Sequence, residues 1–310
     1  AMTDNAYTKQ PNDFTQNIGN GSYSTADSYV KQVWDGRYTG IRMCNELLEN
    51  IDRVPDLDPE LKKRYIGEAK VLRAYSYYEL YTKFGDIPYT TKVLSIKESM
   101  SIARTAKATV IANVLADLDE VINGNYLPTS YDADNKGRIT RWAAMAIKAK
   151  IYLFEGNWTQ VKNITSTIMT EGGFKLFGSY AGLFEIANEY NSEVILDAQY
   201  RPTSREHQMM YAFLPPSLGG YSQLSPLQEL VDSYIMLDGK TIKETGTSFD
   251  ESHPYANRDP RLKATVMYTG NSYTLADGTE VVINCEKGEG KDGYGVGSDC
   301  SATGYYIKKY

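Results

Sequence analysis

The sequence predicts a mainly α-helical chain of antiparallel helix hairpins packed against an irregular part with short strands. Three observations predict it. Between residues 27 and 171, apolar residues recur with a 3.6-residue period in five stretches, most bounded by start and stop signals. A pattern of small, large apolar, basic, small and aromatic residues recurs 75 positions apart within that region. After Gly173 the texture changes to short β-like runs separated by Gly- and Pro-rich connections.

Residues 1 to 26 are polar, with Tyr7, Phe14 and Tyr23 spaced without period, and read as an irregular surface segment. The first helix starts near Asp27: Trp34, Tyr38, Ile41, Leu48 and Ile51 share one face, which ends near Val54-Pro55. Asn45 lies on that stripe, where a buried amide needs partners, and bonding to a neighbouring loop is the expected role. The second helix opens with Asp58 as N-cap and Pro59 at the first helical position; Leu61, Tyr65, Ala69, Leu72, Leu80 and Phe84 form its apolar face until Gly85-Asp86-Ile87-Pro88 stops it. A short link containing Pro makes these two antiparallel. Val110, Val114, Leu118 and Ile122 mark a third helix, Thr140 caps a fourth that runs to Phe154, and Trp158, Val161, Thr165 and Ile168 mark a fifth, ended by Gly172-Gly173.

The repeat aligns Ala69, Leu72-Arg73-Ala74 and Tyr77 with Ala144, Ile147-Lys148-Ala149 and Tyr152. Small residues let paired helices approach while large ones fill the seam, which is the logic of tetratricopeptide-like hairpins, at about twice their usual repeat length. The organisation expected is a helical portion over 27–175 and a mixed, loop-rich portion over 176–310. In the second, 193–200 reads as a strand, 226–237 as a helix, 262–268 and 280–284 as strands around Asp277-Gly278, and 201–225 as a long loop.

Composition and motifs exclude several functions. A net charge of −6 offers no basic surface for a phosphate backbone, so nucleic acid is not an expected partner. No run approaches the length of a membrane span. Two His, with no second His at i+4 and no Cys-x-x-Cys, leave no zinc pattern. Gly288-x-Gly290-x-x-Gly293 mimics a dinucleotide loop without the helix that should follow, and Asp132-x-Asp134 starts like a calcium loop but has Lys136 at position five and Ala143 at position twelve. No catalytic residue, metal or cofactor is assigned. The 26 Tyr, against 8 Phe and 3 Trp, supply flat apolar faces with a polar tip, suited to sugars as well as to helix seams.

Several runs stand out in order along the chain. They are Tyr38-x-Gly40-Ile41 with Asn45, Arg73-Ala74-Tyr75 leading to Lys83-Phe84-Gly85-Asp86-Ile87-Pro88-Tyr89, Gly137-Arg138-Ile139-Thr140 through Gly156-Asn157-Trp158, Glu193-Val194-Ile195, Pro226-Leu227-Gln228-Glu229-Leu230-Val231-Asp232 with Asp238-Gly239, Asn257-Arg258-Asp259-Pro260-Arg261-Leu262, and Gly304-Tyr305-Tyr306. In this order, and counting the first two as one helical pair, these six matches span about residues 34 to 310 and resemble the SusD/RagB-type outer-membrane nutrient-binding lipoproteins. The resemblance implies non-catalytic capture of an oligosaccharide or polysaccharide at the cell surface. It also implies a lipid anchor in the outer membrane and a TonB-dependent transporter of the SusC type as partner. No lipid-anchor Cys precedes Asp27, and the chain stops just after Gly-Tyr-Tyr, so the resemblance further implies a piece lacking both ends. A tetratricopeptide-like protein-binding scaffold without sugar ligand is the competing reading, and a glycosidase is the third.

Members of that family bind with residues ahead of the first long helix and in loops away from the hairpins. This points to Tyr7, Asn12, Phe14, Tyr23, His207, Tyr211 and Tyr221 as ligand contacts. Cys44 lies inside a patterned helix, which leaves Cys285 and Cys300 flanking a Gly-rich segment. Such a loop can bring its ends within the roughly 4.4–6.8 Å a disulfide needs, at a gain of about 3 kcal/mol. Export, as the resemblance implies, permits that bond.

Overall fold

The structure is a computed structural model that describes residues 3–9, 14–201, 203–207, 209–275 and 277–309, with the Phe14 side chain outside that description. In chain order the elements are β1 (Ala6–Thr8), α1 (Phe14–Gly19), α2 (Ser28–Asn50), α3 (Pro59–Phe84), α4 (Ile96–Ser101), α5 (Lys107–Asn123), α6 (Arg141–Phe154), α7 (Trp158–Glu171), α8 (Met209–Phe213), β2 (Leu224–Pro226), α9 (Gln228–Ser233), α10 (Pro260–Thr265), β3 (Val266–Met267), β4 (Ser272–Thr274), β5 (Glu280–Val282) and β6 (Tyr306–Ile307). Mainly α with few short strands is therefore the observed class. No helix among the described residues is long and apolar enough to cross a membrane. The chain divides into a helical unit, residues 28–176 with 190–199, and a mixed unit, residues 1–27, 177–189 and 200–310.

In the helical unit, α2 packs on α3, α3 on α5, α5 on α6 and α6 on α7. Local chemistry sets the ends: Asp58 accepts from Leu61 N at 2.8 Å, Thr140 Oγ1 from Ala143 N at 3.2 Å, and Asn157 from Gln160 N at 3.2 Å. All five predicted helices are present, and the short α4 is added between the second and third. One detail differs. α3 meets α2, α5 and α6, so burial wraps around Val71, Arg73, Ala74, Tyr77, Leu80 and Tyr81, while Leu72, expected on the apolar face, is half exposed.

The repeat has a physical reason. Arg73 donates to Asp117 Oδ2 at 2.6 and 3.2 Å, and Lys148 pairs with Asp119. The basic residue of each copy thus grips α5 from the helix packed on either side of it. Arg73 also donates to Asn45 Oδ1 at 2.8 Å, and Asn45, fully buried, donates to the carbonyls of Thr90 and Lys92. Asn45 therefore holds the loop after α3, as expected for an amide on a buried stripe.

Among its described residues the mixed unit holds three two-stranded antiparallel sheets: β1 with β2, β3 with β6, and the hairpin β4–β5. Two small apolar clusters support them, one around Leu214, Met267, Ile283, Cys285 and Tyr306, the other around Val231, Leu262, Val266 and Tyr305. Buried Arg258 donates to the carbonyls of Val231, Tyr234 and Pro254, tying the end of α9 to the loop ahead of α10 on one guanidinium. The Tyr255 and Tyr268 rings stack at 3.8 Å beside it.

Several expectations fail here. The segment 1–26 is not irregular throughout: β1 pairs with β2 in the register Tyr7↔Ser225, and α1 follows. Residues 193–200 form no strand; Ser192 exchanges bonds with Lys175, and Ile195 packs on the helical core instead of on a strand partner. The helix expected over 226–237 shrinks to α9. The run 262–268 begins as helix, because Asp259 caps α10 (Arg261 N to Oδ1, 2.9 Å) and Pro260 starts it, so only Val266–Met267 is extended. The loop 201–225 contains α8 and a 3-10 turn at Pro216–Leu218.

The expected Cys285–Cys300 disulfide is corrected: all three cysteines are free, buried thiols. Cys285 packs in the Tyr306 cluster, and the Cys300 thiol donates to Lys291 O at 3.1 Å. The Gly-rich segment is held by other means. Tyr294 N donates to Cys285 O, and buried Asp292 accepts from Ser217 N through its carboxylate and from the Tyr306 hydroxyl through its carbonyl.

Candidate functional site

The expected ligand contacts fall in the mixed unit, and the structure brings some of them together. The Tyr211 and Tyr221 rings stack with centroids 6.0 Å apart and planes 21° apart, and each side chain remains about half exposed. Ten residues separate them in sequence, so a fold-back is required. α8 carries Tyr211; Pro215-Pro216 opens the 3-10 turn, and Gly219 adopts φ +80° to reverse the chain. Gly220 then lies against the carbonyl of Leu214, where a Cβ would come within 2.0 Å. The return is stitched by Gly220 N to Pro215 O (3.0 Å), Tyr221 N to Tyr211 O (2.7 Å) and Ser222 N to Leu214 O (3.3 Å). Ser222, fully buried at φ +43°, shares a hydroxyl contact of 3.1 Å with Ser225 on β2. The bond from Ser217 N to Asp292 Oδ1 at 2.8 Å ties the same turn to the Gly-rich segment. Two aromatic faces are therefore held by backbone bonds before any ligand arrives, which removes part of the ordering loss on binding.

Tyr7 sits on β1, exposed, opposite Ser225 of the strand that follows the Tyr221 turn. His207 accepts from Met209 N at 3.4 Å at the start of α8, so its ring is tied two residues ahead of Tyr211's turn. Tyr23 is exposed on the turn after α1, its N–H on Asn17 O, and has no ring contact to Tyr211 or Tyr221 among the described residues. Asn12 and the Phe14 side chain lie outside the described residues.

Tyr200 and Arg205 were not singled out from the sequence. Tyr200 meets the His207 ring edge-on at 4.9 Å, and the Arg205 guanidinium lies 5.5 Å from the Tyr200 centroid. A tight bridge between Arg201 and Arg205 sets this geometry. In the sequence the spacing Tyr200, Arg205, His207 places an aromatic and two basic groups close together, a signal that the strand expected over 193–200 masks by taking Tyr200 as its end. Beside β1, Lys9 donates to Cys300 O at 3.0 Å, and burial pushes its ammonium pKa below the usual lysine range despite Asp299.

One cluster imitates catalysis. Asp250 Oδ2 and Ser252 Oγ both meet His253 Nδ1, at 2.9 and 3.1 Å, on an exposed turn. Serine and carboxylate share one ring nitrogen, so the imidazole cannot relay a proton from one side to the other. The Ser252 and His253 hydrogen bonds hold the Asp250 carboxyl at about 2. Among the described residues no three His, Cys, Asp or Glu side chains converge as metal ligands. What the tyrosine turn presents is stacking faces and hydrogen-bonding tips.

Comparison with known proteins agrees with that character. Residues 1–153 match a family model described as starch-binding and associating with the outer membrane, and residues 183–310 match the SusD family model. A SusD-like protein of Formosa agariphila is 32% identical over 166 residues, 54% of this chain and 31% of that protein. A crystal structure of a SusD-like carbohydrate-binding protein from Bacteroides fragilis superposes with a TM-score of 0.89 at 26% identity, covering all of this chain and 60% of the other. A laminarin-binding SusD-like protein shares the fold, with a TM-score of 0.77 at 24% identity over all of this chain and 65% of its own. The chain thus spans about a third of that curated relative and under two thirds of each structure. With two SusD-type models accounting for nearly its whole length, on that same fold, the chain belongs to the SusD/RagB family.

Proposed function

We propose that this chain is the glycan-holding part of a non-catalytic surface protein that captures an oligosaccharide or polysaccharide and delivers it to a TonB-dependent transporter of the SusC type. In this reading the protein works at the outer membrane, held there by a lipid anchor. The observation that carries the binding step is the Tyr211–Tyr221 pair: two half-exposed rings on a turn locked by three backbone bonds. A pyranose presents apolar C–H faces between equatorial hydroxyls, and such rings match it with little ordering loss. Tyr7, His207 and Tyr200 supply polar tips on the neighbouring segments of the same unit. The family descriptions support carbohydrate as the ligand class and the outer membrane as the location.

The test is calorimetric titration of the chain with a panel of neutral and acidic polysaccharides, repeated with Tyr211→Ala and Tyr221→Ala. Each substitution should weaken the glycan that binds by roughly tenfold, the equivalent of about 1.4 kcal/mol, with the melting temperature nearly unchanged. Unchanged affinity in both variants would remove the platform from the reading. Release of reducing sugar by the wild-type chain would replace capture by hydrolysis.

A further inference from the structure

We propose that the helical unit carries a second saccharide-binding cleft, separate from the tyrosine platform, in which a sugar unit stacks on Tyr190. This rests on the glycan-binding reading above. The cleft, about 300 Å³, is lined by the connection between α5 and α6, the end of α7 and the segment 190–197, all within the helical unit. Its size suits one sugar ring and not a polymer.

The lining has the composition that sugar recognition needs. Tyr131, Phe174 and Tyr190 bring rings, and Lys136, Asn191 and Asp197 bring polar groups. Tyr190 is 40% exposed and stands at φ +58°, a conformation that a residue with a Cβ rarely adopts. Burial does not explain it, because so much of the ring stays in solvent. The Lys136 ammonium lies 5.8 Å from that ring's centroid and makes no ion pair among the described residues. Asp197 is exposed, so its carboxylate can accept from a pair of vicinal hydroxyls.

A second observation comes from Gln199. Its Nε2 is buried with no hydrogen-bond partner among the described residues. It lies against Gly137, where a Cβ would meet that nitrogen at 1.5 Å, and Gly137 itself lines the cleft. The Gln199 amide thus packs on Gly137 of the cleft wall and is not itself a lining residue; a buried donor without an acceptor is unfavourable, and it marks this wall as incompletely satisfied. The support is rigid. Ser192 bonds Lys175 in both directions and Ile195 packs on the helical core, so the segment bearing Tyr190 and Asp197 is fixed on the helices.

Saturation-transfer difference NMR and calorimetry on the whole chain test this, with the same panel of neutral and acidic oligosaccharides. For a glycan that the wild type binds, Tyr190→Ala and Asp197→Ala should each weaken binding by roughly fivefold to tenfold, and Tyr190→Phe, which keeps the ring, should restore it. The Tyr211→Ala/Tyr221→Ala double variant should retain saturation transfer, and adding Tyr190→Ala should abolish it. If the double variant loses all transfer, or Tyr190→Ala changes nothing in that background, the cleft is overturned and the platform stands alone. If the folded wild type binds no glycan of the panel, both readings fall.

Discussion

Replacing Gly220 by Ala tests the claim that backbone packing presents the tyrosine pair. A Cβ at that position would lie 2.0 Å from Leu214 O and 2.4 Å from its carbonyl carbon, where real contacts stay beyond 3.0 Å, so the chain must shift by about 1 Å. Three bonds depend on the present path: Gly220 N to Pro215 O, Tyr221 N to Tyr211 O and Ser222 N to Leu214 O. At about 1 kcal/mol each, loss of all three costs about 3 kcal/mol, reduced by about 0.4–1 kcal/mol because Ala also restricts the unfolded chain. The net is about 2–2.5 kcal/mol. Gly219→Ala is the matched control: φ is +80° but nothing lies within 4 Å of its Cβ. There the left-handed penalty of about 1–2 kcal/mol, less the same unfolded-state gain, leaves about 1 kcal/mol. Amide hydrogen exchange over 209–226 reads both. Gly220→Ala should speed exchange of the Tyr221 and Ser222 amides by roughly thirtyfold or more, Gly219→Ala by about fivefold. Glycan affinity should fall with Gly220→Ala while Tyr221 itself is untouched. Equal exchange in the two variants, or a larger effect at Gly219, would refute the packing argument.

Acid should reach α10 late. The Arg261 guanidinium holds the Asp259 carboxyl below the usual aspartate range, so its contribution to stability is complete at neutral pH and disappears as pH falls through that depressed value. Melting curves of wild type and Asp259→Asn should differ most above about pH 4 and converge toward pH 2; a constant gap would contradict this. The thiols should count three. In the native chain Cys44, Cys285 and Cys300 should react slowly with an aromatic disulfide reagent, since all are buried and burial pushes the Cys285 thiol up to about 12. Unfolding without reductant should release three equivalents, and one equivalent would reveal the bridge that the structure lacks.

What the sequence determined by itself is the helical half. Each of those helices carries its instructions within a few residues: Asp58-Pro59 to start, Gly85 to stop, and an apolar stripe between them, all satisfied inside one turn or one face. The repeat was legible for the same reason, although its purpose was not, because Asp117 and Asp119 lie far along the chain from Arg73 and Lys148. The tertiary structure alone decided the mixed half. Strands of two or three residues have no period to detect, and β1 finds its partner more than two hundred residues later. Whether 193–200 was a strand depended on a partner that never came, and whether Cys285 and Cys300 bonded depended on what else filled the loop. The candidate site shares that character. Exposed tyrosines could be named from composition and position. That Tyr211 and Tyr221 stack follows only from a chain reversal fixed by a carbonyl that leaves no room for a Cβ, and that Tyr200 and Arg205 gather at His207 follows only from the bridge between Arg201 and Arg205.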